Sequence, residues 1–180
     1  MPLRSAQKQH MATIEERAQA VPEGHAEPRP PYEAYAAITV TFAGLLAAAG
    51  ALGRLRDREP GAHSWLDLTA LTLATFKASR TIARDEVTSF VRAPFVEGDA
   101  HEGGERPVET GDFHQAIGEL VTCSRCVGTW VAAALGTAQL LTPRFGRLLT
   151  WTLCAAGAND FAQAAFTALT AKANTMEGGR

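Results

Sequence analysis

The sequence lacks the short motifs that mark common enzyme classes. It has no glycine-rich phosphate loop, no GxSxG, no HExxH and no pair of carboxylates on a predicted rigid element. Positive charge is not in excess either, because 17 Lys and Arg residues stand against 19 Asp and Glu, so a nucleic-acid surface is not predicted. These absences favour a non-catalytic protein over an enzyme and argue against a nucleic-acid partner.

Charge is missing from long parts of the chain instead of being spread evenly. Ranges 34–53 and 127–142 carry no charged residue, and range 148–169 carries only Asp160. A helix needs roughly 20 mostly apolar residues to cross the hydrocarbon of a bilayer. A fourth stretch, 65–83, is less apolar. The pattern predicts an all-α, polytopic membrane bundle of about four transmembrane helices, and the alternative is a soluble helical bundle with buried helices.

The segregation of charge also divides the chain into three parts. The first, 1–33, is a polar, proline-rich arm that lacks the apolar core of a signal peptide. The second, 34–171, is the predicted membrane helical domain. The third, 172–180, is a short C-terminal tail. We expect the arm to be flexible.

A polar segment, 84–125, separates the second predicted span from the third. Its ends have helical spacing of apolar residues, over 84–95 and 113–122, and an acidic, glycine-rich loop, 97–111, joins them. The sequence predicts two short helices that lie in the membrane interface or pack on each other as a small cap.

Location and partners follow from the four predicted spans. Membrane lipids are the expected partners, and the chain is predicted to be a multi-pass cell-membrane protein. Positive charge is almost equally distributed between the two sides of the membrane and does not decide the orientation. The long polar N-terminus favours an orientation with both termini and the cysteine pair in the cytoplasm. Glycines in the spans permit close helix packing or homo-oligomers. They are Gly44, Gly50, Gly128, Gly136 and Gly157.

Two charged residues lie inside predicted spans that run in the same direction. Lys77 is twelve residues after Trp65, and Asp160 is twelve residues after Leu148. At helical rise both lie about 18 Å from the same face. A lone charge near the helix centre costs roughly 2.5–3.5 kcal/mol, so the spacing predicts an ion pair between Lys77 and Asp160. A structural pair is favoured over a proton or ion relay.

A pair of motifs resembles a known family. The run FKASRTIARDEVTSFVRAPF begins at Phe76, and ELVTCSRCVGTW ends at Trp130. Together they are similar to the bacterial family of small membrane proteins known as domain of unknown function 1360. The resemblance implies a membrane location but no reaction. It implies that the signature positions are Arg80, Arg84, Asp85, Arg92, Cys123, Cys126 and Trp130.

The CxxC pair, Cys123 and Cys126, leaves three interpretations open. The two thiols could have a structural role or form a disulfide. They could be redox-active, because a helix N-terminus and Arg125 would lower a thiol pKa. They could bind zinc with His114 as a further ligand, or as a site shared between two chains. No other cofactor is expected.

Overall fold

The computed structural model describes residues 30–58, 64–101 and 103–178. The predicted arm, 1–33, therefore lies outside the described residues up to position 29. The prediction of an α-helical chain is confirmed for the described ranges. The exception is one antiparallel pair of two-residue strands, β1 (Val96–Glu97) and β2 (Arg106–Pro107), which closes the loop that the sequence left without structure.

Each of the four predicted apolar stretches forms a long helix. They are α1 (Tyr32–Leu55), α2 (Trp65–Arg84), α5 (Ser124–Leu141) and α6 (Pro143–Gly178). Helix α2 packs against α5 and α6, α5 packs against α6, and α1 packs against α5. The last helix continues through range 172–178, where the sequence predicted a tail.

Local sequence signals explain where the helices begin. Ser64 and Asp67 form a capping box at the start of α2, with the Asp67 amide 3.2 Å from Ser64 Oγ and the Ser64 amide 3.1 Å from Asp67 Oδ2. Pro143 is the first residue of α6, where its missing amide hydrogen costs no intrahelical bond. Only Thr142 separates α5 from α6.

The segment between α2 and α5 differs in part from the sequence prediction. The helix predicted over 84–95 is wrong as a single element, because Asp85 is extended and ends α2. Beyond it follow a 3₁₀ turn, the short helix α3 and another 3₁₀ turn. Their bounds are Glu86–Thr88, Ser89–Arg92 and Ala93–Phe95. The second predicted helix is confirmed as α4, Phe113–Thr122. We call this segment, 85–123, the cap.

Small residues form most of the interior among the described helices. Of the seven apolar residues that are buried in the described ranges, five are alanines, and the other two are Val127 and Leu135. Gly157 packs so closely on α2 that an added Cβ would lie 2.9 Å from the Leu73 carbonyl oxygen. Gly128 faces Ser79 on the other side of α2. A Cβ added to Gly128 would lie 3.8 Å from the Ser79 Cβ. The helices therefore meet through small side chains.

Large apolar side chains point away from this interior. On α1, Val40 is 70% exposed, and on α6, Phe166 is 73% exposed. Similar residues are Leu66 and Leu68 on α2 and Phe145, Leu148 and Trp151 on α6. Among the described helices, α1 alone combines the length and apolar composition needed to cross a membrane by itself.

Candidate functional site

The CxxC pair lies at the junction of α4 and α5. Helix α4 ends at Thr122, and Cys123 is the N-cap of α5, where its sulfur accepts a hydrogen bond from the Cys126 amide at 3.3 Å. The first turn of α5 brings the two sulfurs to 2.7 Å, with Cys126 Sγ as donor. The arrangement places a free dithiol at a helix N-terminus, where Cys126 is exposed and Cys123 half-buried.

The two thiols differ in acidity. The hydrogen bond from Cys126 Sγ lowers the pKa of Cys123, and the backbone amides of Cys126 and Arg125 and the Arg125 charge add to the effect. The pKa of Cys126 is raised to about 11, first by partial desolvation of its sulfur and then by the hydrogen bond to Cys123. Cys123 is therefore the thiol that ionises first and the better nucleophile near neutral pH.

The structure does not bring His114 to the two cysteines. His114 lies in the first turn of α4, with Nε2 2.9 Å from the Pro94 carbonyl oxygen and its ring 4.9 Å from that of Phe95. Cys123 follows the other end of the same helix. In ranges 30–58, 64–101 and 103–178, no three His, Cys, Asp or Glu side chains are grouped so that they could hold a metal ion.

Arg92 is the buried centre of the cap. The residue is 0% exposed, with Nε 2.8 Å from Glu105 Oε2 and a terminal nitrogen 2.7 Å from the Ile82 carbonyl oxygen. The same nitrogen is 3.1 Å from the Asp85 carbonyl oxygen. A guanidinium thus satisfies carbonyls at the C-terminus of α2, where a positive charge is favourable. Sequence reasoning identified Arg92 but missed Glu105, which lies in the acidic loop.

A second network, missed from the sequence, joins α1 to the cap. The Tyr35 hydroxyl donates to Glu119 Oε2. The other carboxylate oxygen of Glu119 accepts from Gln115 Nε2 at 2.9 Å, and Gln115 Oε1 accepts from the Gly111 amide at 2.9 Å. A tyrosine at the start of an apolar stretch carried no sequence signal for this contact. The network fixes the N-terminal end of α1 beside α4, one turn before Cys123.

The structure brings Lys77 and Asp160 together. Lys77 Nζ lies 2.9 Å from Asp160 Oδ2, which joins α2 to α6. The neighbouring rings of Phe76 and Phe161 stack with their centroids 5.1 Å apart. The guanidinium carbon of Arg80 lies 5.7 Å from the centre of the Phe76 ring.

The remaining signature positions lie on the same elements. Trp130 on α5 contacts the Phe42 ring edge to face, with the ring centroids 5.0 Å apart. It lines an apolar groove of about 480 Å³ between α1 and α5. Arg84 is exposed in the last turn of α2, and the Asp85 carbonyl accepts from Arg92.

Comparisons with known proteins identify the family of the chain. Residues 70–166, more than half of the chain, match the family described as Protein of unknown function (DUF1360). UPF0713 protein YngL of Bacillus subtilis (strain 168) is 31% identical over 108 residues, which are 57% of this chain and 79% of that protein. Sporulation protein YjcA of the same organism is 31% identical over 98 residues, 51% of this chain and 83% of that protein. No solved structure matches the chain. The chain belongs to the DUF1360 family, and the resemblance drawn from its motifs is confirmed.

Proposed function

We propose that this chain is a multi-pass protein of the bacterial cell membrane, where it serves as a non-catalytic membrane or accessory component. In this account α1, α2, α5 and α6 cross the bilayer. The observation that supports it is the packing of the helices, which places alanines inside and large apolar side chains outside. A water-soluble bundle buries its leucines and aromatics, whereas membrane helices associate through small residues and leave large side chains to lipid.

The charges within the proposed spans fit the same account. On α2, Asp67 belongs to the capping box at the start of the helix, and Lys77 is neutralised by Asp160 of α6. Helix α5 carries no charge from Val127 to Leu141, a length of about 22 Å at helical rise and near the short limit for a span, which leaves Cys126 in the interface. A membrane would thus contain a compensated ion pair and no isolated charge deep in α2.

The cap would lie at one membrane interface. Val87 is 76% exposed and Phe90 74% exposed, so both side chains can enter the headgroup region. Tyr35 ties the start of α1 to the cap, and α2 ends there. With four spans both termini are on the side of the cap. We propose that this side is the cytoplasm.

Extraction and labelling test these proposals separately. Membranes from cells that express the full chain are washed with alkaline carbonate and then with detergent. The proposal requires the chain to resist the first wash and dissolve in the second; release by carbonate would contradict it. A membrane-impermeant maleimide applied to intact cells should leave Cys123 unlabelled, and labelling before lysis would reverse the orientation.

A second function is favoured by the geometry of the CxxC pair, namely thiol–disulfide exchange at the membrane surface. The two sulfurs lie 2.7 Å apart, and the pKa of the N-capping Cys123 is lowered. These are the properties of an attacking thiol and its resolving partner. Thiol–disulfide exchange requires neither a metal ion nor a third ligand.

The exchange would proceed in two steps. The Cys123 thiolate attacks one sulfur of a substrate disulfide and forms a mixed disulfide, while the other substrate sulfur leaves as a thiolate. Cys126 then loses its proton and attacks the Cys123 sulfur. A Cys123–Cys126 disulfide forms, and the second substrate sulfur leaves and takes up a proton. The substrate is reduced by two electrons and the pair is oxidised.

Thiol trapping of the purified chain distinguishes the interpretations. The chain in detergent is treated with glutathione disulfide, reductant or chelator, and free thiols are then counted by maleimide mass shift. Exchange predicts the loss of two free thiols on oxidation, and this loss should disappear in Cys123→Ser but not in Cys154→Ser. Labelling that responds only to the chelator would indicate zinc, for example at a site shared between two chains. Labelling that responds to neither treatment would leave the pair a structural role.

A further inference from the structure

The last turns of α2 carry two exposed arginines, for which no acidic partner lies among the described residues. Arg80 and Arg84 are four positions apart, so their side chains emerge on the same side of the helix, about 5–6 Å apart at Cβ. Within the part of the chain that the structure describes, neither forms an ion pair. Two uncompensated positive charges therefore lie together at the cap end of α2.

Two of the nearby acidic groups, Asp160 and Glu86, have partners. Asp160 is paired with Lys77 at 2.9 Å, and Glu86 lies 3.2 Å from the His101 ring nitrogen. Asp85 follows Arg84 directly, but it has extended backbone and lies beyond the helix end. The Lys77–Asp160 pair adds no net charge to this face, so Arg80 and Arg84 keep it positive.

An apolar surface adjoins the two arginines. Phe76 and Phe161 stack across the contact of α2 with α6, and they remain 36% and 52% exposed. The guanidinium of Arg80 lies over the Phe76 ring, which holds it at the border between the aromatic pair and the cap. A positive edge thus lies directly above an exposed apolar face.

We propose that Arg80, Arg84 and the Phe76–Phe161 pair form a binding site for an anionic phospholipid. The phosphodiester accepts hydrogen bonds from both guanidinium groups, and an acyl chain lies along the two rings. The inference rests on the proposed membrane location. A zwitterionic lipid, which has no net charge, should bind this site more weakly, because the two arginines repel its ammonium group. Each arginine contributes about a fivefold gain in affinity for the anionic lipid.

Lipid titration of the full chain in detergent tests the site. Short-chain phosphatidylglycerol, phosphatidylcholine of the same chain length and inorganic phosphate are added separately, and apparent affinity is taken from the half-maximal rise in Tm. The site predicts a rise with phosphatidylglycerol alone. Arg80→Gln with Arg84→Gln should weaken that affinity by at least about tenfold. The matched control, Arg144→Gln with Arg147→Gln at the opposite end of the bundle, should leave it unchanged.

Other outcomes overturn the site. Equal affinity in the Arg80, Arg84 double variant, or an equal response to phosphatidylcholine or inorganic phosphate, contradicts it. If the double variant does not fold, Arg80→Lys with Arg84→Lys keeps the charge and should bind within about threefold of the wild type; tenfold loss there contradicts charge recognition. Carbonate extraction of the same membranes separates the two proposals. Release of the chain contradicts the membrane location, while retention without lipid preference contradicts only this site.

Discussion

Lys77 on α2 and Asp160 on α6 form an ion pair with Nζ and Oδ2 2.9 Å apart. The pair lies beside the closest approach of the two helices, where an added Cβ on Gly157 would lie 3.3 Å from the Lys77 Cβ. The glycine lets the backbones approach, and the ion pair fixes the register of α6 on α2. Small-residue packing and charge pairing therefore act at one place.

Removing one partner of this pair should cost more than removing both. Asp160→Leu leaves the Lys77 ammonium without compensation among apolar neighbours, and we expect the free energy of unfolding to fall by about 2–3 kcal/mol. Adding Lys77→Leu removes the stranded charge and should restore most of the loss. Unfolding in detergent measures both variants. A double variant that is as unstable as Asp160→Leu, or less stable, would contradict the pairing.

Replacing Gly157 by alanine should lower stability, whereas replacing Gly44 by alanine should not. In Gly157→Ala the new Cβ would lie 2.9 Å from the Leu73 carbonyl oxygen, a backbone atom, so α6 must move and stability should fall by about 1–3 kcal/mol. In Gly44→Ala the new methyl has no atom within 4 Å, and helix propensity should raise stability by up to about 1 kcal/mol. Thermal unfolding compares the two. Equal effects would mean that Gly157 does not set the helix contact.

Arg92→Met should loosen the cap. The substitution leaves Glu105 and the Ile82 carbonyl without their donor in a buried site, and we expect a loss of about 3–5 kcal/mol. Hydrogen exchange should rise most in β1 and β2, because the contact of Glu105 with Arg92 ties this strand pair to the end of α2. Arg106→Met, at an exposed position of the same loop, is the control and should change exchange little. Unchanged protection in Arg92→Met would argue against this role.

The acidity of Cys123 should depend on Cys126. Because the pKa of Cys123 is lowered, it carries more thiolate near pH 7 than an ordinary cysteine, while Cys126, with a pKa of about 11, carries almost none. Iodoacetamide should therefore modify Cys123 first. Cys126→Ala removes the largest cause of the lowered pKa, so alkylation of Cys123 at pH 7 should slow and its pH profile should move upward. Peptide mass spectrometry follows the rates; faster modification of Cys126 in the wild type would contradict the assignment.

The long helices could be predicted from the sequence because charge and length are local properties. The charge-free range 34–53 lies within α1, whereas α6 begins at Pro143, five residues before the predicted span 148–169. The twelve-residue spacings of Lys77 and Asp160 in their predicted spans suggested a pair, and the structure places Lys77 Nζ 2.9 Å from Asp160 Oδ2.

The cap could not be predicted to the same extent because its contacts are between distant residues. Nothing local pairs Arg92 with Glu105 or Tyr35 with Glu119, and the Arg92 contacts hold the chain in short turns where apolar spacing suggested one helix. His114 shows the opposite error. A histidine nine residues before Cys123 suggested a ligand, but α4 carries it to Pro94 at its other end.

Spin-label accessibility tests directly whether lipid surrounds the exposed large apolar side chains. In a background with Cys123, Cys126 and Cys154 replaced by serine, labels are placed by Leu45→Cys on α1 and Glu109→Cys in the cap, and the chain is reconstituted in vesicles. The account predicts that the label at position 45 collides with oxygen and is shielded from a water-soluble nickel chelate, while the label at 109 shows the reverse. Equal access of the nickel chelate to both labels would contradict a membrane-spanning α1.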